Sequence, residues 1–155
     1  MRTLKQRAIA MLARREHSRA ELVRRLAPAQ ATRAEVDGVL DELESAGLLS
    51  DARFSAALVE QKRGTHGRRA IAYSLRQKGV DAVQAADALG ALDRDDERSR
   101  AQLLWARKFG TAPRDEREKA RQIRFLIARG YPGGIAFDVV RTAASGSNDK
   151  CAEDA

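Results

Sequence analysis

One stretch of this chain occurs twice, and that repetition limits its fold more than any other feature. The run from Arg68 to Val80 (RRAIAYSLRQKGV) reads as a basic helix closed by Gly79, and Asp81 to Leu89 follows as a short second helix. A related phrase returns from Arg121 to Tyr131 (RQIRFLIARGY) and runs on through Phe137 to Val140. At a constant offset of 51 positions, Leu75 falls on Leu126, Lys78 on Arg129, Gly79 on Gly130, Asp87 on Asp138 and Leu89 on Val140. Apolar, basic and glycine positions that recur together mark one supersecondary unit used more than once.

What fills such a unit follows from the residues available. Aromatic side chains make up only 5% of the chain, so cores are built from Leu, Val, Ile and Ala, which suits helices packed closely on helices. Charged residues reach 33%, above the ~25% of an average globular domain, which favours a high ratio of surface to core. The spacing predicts an all-α chain. Helix starts are marked by Ser18 with Glu21 and by Thr32 with Glu35, both at capping-box spacing, then by Ser50 or Asp51 and by Asp81. Helix ends are expected at Pro28, Gly47, Gly64, Gly79 and Gly130. The inward stripes are read as Leu22 and Leu26; Val36, Val39, Leu40 and Leu43; Phe54, Ala57, Leu58 and Gln61; Ile71, Ala72 and Leu75; and Val83, Ala86 and Leu89. Leu103, Leu104 and Trp105, then Ile123, Leu126 and Ile127, then Ile135, Phe137, Val139 and Val140 complete the set.

Nine helices in three groups follow. The expected organisation is three tandem three-helix repeats over residues 1–49, 50–91 and 92–143, with a disordered polar tail over 144–155. The first repeat matches more loosely, because Ala27, Pro28, Ala29 and Gln30 stand where a basic residue and a glycine are expected. Units this small bury little core alone, so they are expected to stack into an elongated array that can curve.

Function is bounded mostly by exclusion. No glycine loop has the strand–loop–helix context of a phosphate site, and His17 and His66 are isolated from any metal-ligand spacing. No cofactor, metal or catalytic group is expected, and the chain does not read as an enzyme. Cys151 is the only cysteine, so an internal disulfide is excluded and a reducing compartment fits. The start lacks a signal-peptide run and no stretch is long enough to cross a bilayer, so a cytoplasmic protein is expected. A monomer is expected too, since no long apolar heptad seam appears.

The net charge of +7, from 29 Lys and Arg against 22 Asp and Glu, leaves a basic surface for an anionic partner. For any one residue a solvated helix face is the plainer explanation. Across the repeats, however, Arg24, Arg25, Arg68, Arg69, Arg76, Lys78, Arg121, Arg124 and Arg129 form recurring basic ridges on the second helix of each unit. Such ridges suit phosphates or an acidic protein surface. A base-reading helix-turn-helix is not identifiable.

The ordered set of motifs resembles the RecX family, from about Leu4 to Arg141. Its marks are Ser18 to Leu22 (SRAEL) with Leu26, then Leu43 and Gly47 to Phe54 (GLLSDARF), then Gly67, Ile71, Leu75, Lys78 and Gly79, and finally Phe125 and Leu126 with Arg129 to Tyr131. Ser74 and Tyr131 depart from the family's common Glu and Phe, and the first block lacks its Lys-Gly after Leu26. The resemblance implies an all-helical regulator of the recombinase RecA. Such a protein binds in the groove of the RecA–DNA filament, limits its extension or promotes its disassembly, and dampens ATPase, strand-exchange and coprotease activity. The nine basic residues above are expected to face that filament. The alternative from charge alone is a helical module that binds single- or double-stranded DNA without sequence preference and competes for it.

Overall fold

The computed structural model describes residues 2–27, 31–92 and 94–150. Among them are nine helices and no strands: α1 (Leu4–Leu12), α2 (Arg19–Leu26), α3 (Arg33–Ser45), α4 (Asp51–Lys62), α5 (Arg68–Gln77), α6 (Ala82–Leu89), α7 (Arg94–Lys108), α8 (Glu116–Ala128) and α9 (Gly133–Lys150). The all-α expectation holds. Helix starts are set by side-chain oxygens that accept otherwise unpaired backbone N–H groups. Ser18 and Glu21 form the expected reciprocal box, and Thr3 with Gln6 forms a second at α1. Thr32 accepts from the Glu35 N–H, Ser50 from Arg53, Asp81 from Gln84 and Asp115 from Glu118.

The chain divides into two compact units: residues 1–60 with 72–88, and residues 61–71 with 89–155. Residues 50–91, expected as one repeat, are shared between them. In the first unit α1, α2 and α3 pack together around Ala8, Leu22, Leu26, Val36, Leu40, Leu43 and Leu49. In the second, α7, α8 and α9 enclose Ala101, Leu104, Leu126, Tyr131, Ala136, Val139 and Val140. Each is a helical trio whose core is mainly aliphatic, as the shortage of aromatics requires.

Several expected stripes are rotated. On α4 the buried residues are Phe54, Ser55, Leu58 and Val59, while Ala57 and Gln61 are exposed. On α6 the buried pair is Ala85 and Leu89; Val83 is 72% exposed and Ala86 is also outside. Leu103, Ile127 and Phe137 face outward, and Ala101, Gln122 and Ala136 take buried positions nearby in sequence. At Ala85, Ala101 and Ala136 the inward position goes to a small residue, which a stripe drawn through the larger apolar side chains misses, while Gln122 is buried as the acceptor of the Trp105 indole N–H at 2.8 Å. The C-terminal helix also outlasts its expected end at 143: α9 continues to Lys150, with the Ser145 Oγ–H donating to the Arg141 carbonyl at 3.1 Å. The readings placed on Pro28 and Cys151 fall outside the described residues.

Candidate basic interaction surfaces

In the first unit the start of α2 sits on the glycine end of α5. Gly79 has φ 76°, a left-handed conformation that costs any other L-residue, and a Cβ there would collide with the Ala20 Cβ. Ser18 Oγ donates to the Lys78 carbonyl at 2.6 Å, and the Arg24 guanidinium donates to the Gln77 carbonyl at 3.2 and 3.3 Å. The carbonyls that α5 leaves unpaired at its end are therefore taken up by α2 side chains.

Glu21 lies at the centre of this joint with its side chain only 5% exposed. Its carboxylate receives the Arg15 guanidinium in a two-pronged pair at 3.1 Å, the Lys78 ammonium at 3.0 Å and the Ser18 N–H at 3.2 Å. Burial alone would raise the carboxyl, but these hydrogen bonds outweigh it and hold the pKa at about 2. Beside it His17, 3% exposed, is held below its ordinary pKa by burial, with Nδ1 3.0 Å from the Arg15 carbonyl.

A corresponding joint in the second unit places the start of α5 on the glycine end of α8. Gly67 N–H donates to the Arg129 carbonyl at 2.8 Å. Gly130 has φ 95°, and a Cβ there would strike Ala70 and lie 2.6 Å from its backbone nitrogen. Arg68 is half-buried and directs its guanidinium to the Leu89 and Leu92 carbonyls at 2.8 and 3.3 Å.

Further along the same unit the cations cluster on rings. Phe109 and Phe125 meet edge to face with centroids 5.3 Å apart. Lys108 and Arg129 lie 5.6 and 5.1 Å from the Phe125 centroid, and Arg121 lies 5.8 Å from that of Phe109. The ring quadrupole attracts each cation, holding several positive charges close together at the surface.

The nine expected contact residues therefore differ in kind. Arg24, Lys78 and Arg68 are engaged by carbonyls or by Glu21, and Arg121 and Arg129 lie against rings. Arg25, Arg69, Arg76 and Arg124 are exposed and make no hydrogen bond or ion pair among the described residues. Sequence reasoning missed the buried Glu21, whose role as charge centre is hidden behind its capping role. It also missed Arg100, a 93% buried arginine (side chain 7% exposed) on an otherwise solvated-looking helix. Among the described residues no group of three or more His, Cys, Asp or Glu is placed to hold a metal, and no helix is long and apolar enough to cross a membrane.

Comparison with known proteins matches residues 50–89 to the family described as RecX, second three-helix domain, and residues 95–140 to RecX, third three-helix domain. A curated protein named Regulatory protein RecX, from Leptothrix cholodnii, is 48% identical over 141 residues, covering 91% of this chain and 89% of its own. Another of that name, from Chromobacterium violaceum, is 42% identical over 99% of this chain and 97% of its own. The crystal structure of RecX from Lactobacillus salivarius superposes with a TM-score of 0.76 at 18% identity, covering 91% of this chain and 94% of that one. At that identity the structural match speaks for the fold.

Proposed function

The chain belongs to the RecX family, and we propose that it regulates RecA by binding the RecA–DNA filament and limiting its extension. The observation that carries this is the 48% identity to a RecX regulatory protein across 91% of the chain. On this reading it is a cytoplasmic monomer that dampens RecA's ATPase, strand exchange and coprotease activity without chemistry of its own. The division into three helical repeats near 50 and 92 belongs to the same proposal. Filament growth passes through its ends, so a few bound molecules that disfavour subunit addition shift it toward net loss.

The cations best suited to the filament are those the protein does not already use. Arg25, Arg69, Arg76 and Arg124 lose no internal bond when a partner engages them, whereas moving Lys78 or Arg68 to a partner would unpair groups inside the joints. The test is to titrate the protein, well below one per RecA, into preformed filaments on single-stranded DNA and follow ATP hydrolysis with and without excess competing DNA. Substoichiometric inhibition that competitor leaves intact supports filament-directed regulation. Charge reversal at the four free arginines should then weaken it by about tenfold or more. Inhibition seen only as the DNA saturates, and relieved by competitor, would instead make the ring-backed cations Lys108, Arg121 and Arg129 the phosphate contacts of a DNA-binding module. No inhibition in either arm rejects the proposal.

A further inference from the structure

A hollow of about 230 Å³ lies along α1 in the first unit, lined by Arg2, Arg7, Ala10, Met11 and Arg14. Arg7, Ala10 and Met11 share one side of the helix, since positions three and four apart are neighbours on its surface. Arg2 precedes the N-cap Thr3, and Arg14 follows the C-cap Ala13. Met11 also packs against the core of this unit, so the floor is anchored while the arginines stand around it. Arg2 and Arg14 are exposed and Arg7 is half-buried, so none of the three is sealed off from solvent.

Among the described residues no anion answers these cations. None of the three guanidinium groups makes a hydrogen bond or an ion pair there. Glu42, which does reach α1, is taken by Lys5 at 3.1 Å. The two capping boxes of the unit show the contrast. At α2 the box uses Glu21, whose carboxylate also binds Arg15 and Lys78. At α1 it uses Gln6, which accepts from the Thr3 N–H at 2.9 Å without bringing a charge. The first turn of α1 holds no acidic residue, so the positive end of the helix dipole adds to the local potential.

We propose that this hollow binds phosphate groups. Three cations without a counter-charge suit a ligand carrying more than one negative charge, and a guanidinium matches phosphate oxygens through two parallel bonds. The volume is below the ~300 Å³ at which small-molecule pockets usually begin. The hollow therefore takes the phosphate part of a ligand, free or esterified in a nucleic-acid strand, and leaves the rest outside. None of its residues is among the nine expected to face the filament, and its test uses no RecA.

Pyrophosphate titrated into the ¹⁵N-labelled full chain at fixed ionic strength should shift the backbone amides of Arg7, Ala10, Met11 and Arg14 saturably, with a Kd on the order of millimolar. Succinate, which offers carboxylates in place of phosphates, should bind at least about fivefold more weakly. Arg14→Gln removes an exposed cation, and Ala10→Glu sets a carboxylate in the floor three positions after Arg7. Both should keep the amide spectrum of the parent fold and weaken binding by about tenfold or more. Oligothymidylate identifies the source: tighter binding than pyrophosphate at the same amides assigns the site to strand phosphates, and otherwise to free ones. Absence of saturable shifts, equal binding of succinate, or undiminished binding in either variant overturns the proposal. So do equal shifts at the amides of Arg25 and Arg76, free arginines outside the hollow, which would mean general attraction to a basic surface.

Discussion

The α2–α5 joint and the α5–α8 joint solve one problem with different materials. In both, a helix begins against the glycine end of another, and the first N–H of the incoming helix is met by a carboxylate from a third. Arg19 N–H reaches Asp51 at 2.7 Å in one unit, and Arg68 N–H reaches Glu97 at 2.9 Å in the other. The residues at equivalent helix starts then part ways. Arg19 spends its guanidinium on Asp37, Asp41 and Glu44 of α3, whereas Arg68 spends its own on the last carbonyls of α6 and its turn. The first joint is closed by side chains around a buried charge, Glu21. The second is closed by backbone, glycine on glycine. One repeated glycine can thus anchor two joints that respond differently to substitution and to pH.

Substituting the glycines should expose that difference most strongly. Gly130→Ala meets a left-handed backbone cost of about 1–2 kcal/mol and overpacking of about 1–3 kcal/mol, a sum of roughly 2–5 kcal/mol in denaturant unfolding. Its new Cβ collides with Ala70 backbone as well as side chain, so Ala70→Gly should restore little. Gly79→Ala carries the same backbone cost, but its one close obstacle is the Ala20 Cβ. Adding Ala20→Gly should recover about 1 kcal/mol as a favourable coupling in a double-mutant cycle. Equal rescue in both cycles would remove the distinction between the joints.

How much of this the sequence displays depends on the scale of the feature. The offset of 51 already pairs Gly79 with Gly130, and the capping spacing places Ser18 and Glu21 at a helix start. Both glycines do adopt positive φ, and the capping box does form. What the pattern does not carry is the partner across the joint. Ser18 and Lys78 are sixty positions apart, and nothing local says that the hydroxyl will reach that carbonyl. Small residues hide for a related reason. Ala20 and Ala70 are unremarkable in a hydrophobic stripe, yet they are the surfaces on which the glycines rest. The basic ridges were legible as charge but not as roles, because Lys78 and Arg69 look alike until Glu21 is placed beside one of them.

The buried charge should make the first joint sensitive to acid. Glu21 has its pKa at about 2, below the ordinary 4.5, so the carboxylate contributes stability that is full above about pH 5 and is lost as pH falls toward 2. Arg15 and Lys78 are nearly half exposed, which screens the interaction, and about 1–2 kcal/mol is a reasonable size for its contribution at neutral pH. Glu21→Gln should therefore be less stable than the parent by about that amount at pH 7, with the gap closing by about pH 2–3. His66 is present in both proteins and cancels when the two pH profiles are subtracted, whereas His17 feels the Glu21 charge and does not, so the carboxylate is read from the change below about pH 5. A gap that persists unchanged at pH 2 would show that Glu21 acts through shape and not through charge.

The smallest effects should separate cations inside the joints from those outside them. Arg24→Ala removes two donors from the Gln77 carbonyl on an exposed flank, where water can replace them, so a loss of about 0.5–1 kcal/mol is expected. Arg69→Ala and Arg76→Ala remove no internal hydrogen bond or ion pair, and their stability should stay within about 0.5 kcal/mol of the parent. Urea titrations of the three single variants, each also assayed for inhibition of RecA hydrolysis, order them by both readouts. If Arg69→Ala and Arg76→Ala keep their stability and lose inhibition while Arg24→Ala loses stability and keeps inhibition, joint cations and contact cations are distinct sets. If all three lose inhibition alike, the Arg24 side chain serves the partner despite its bond to Gln77, and the joint itself forms part of the contact surface.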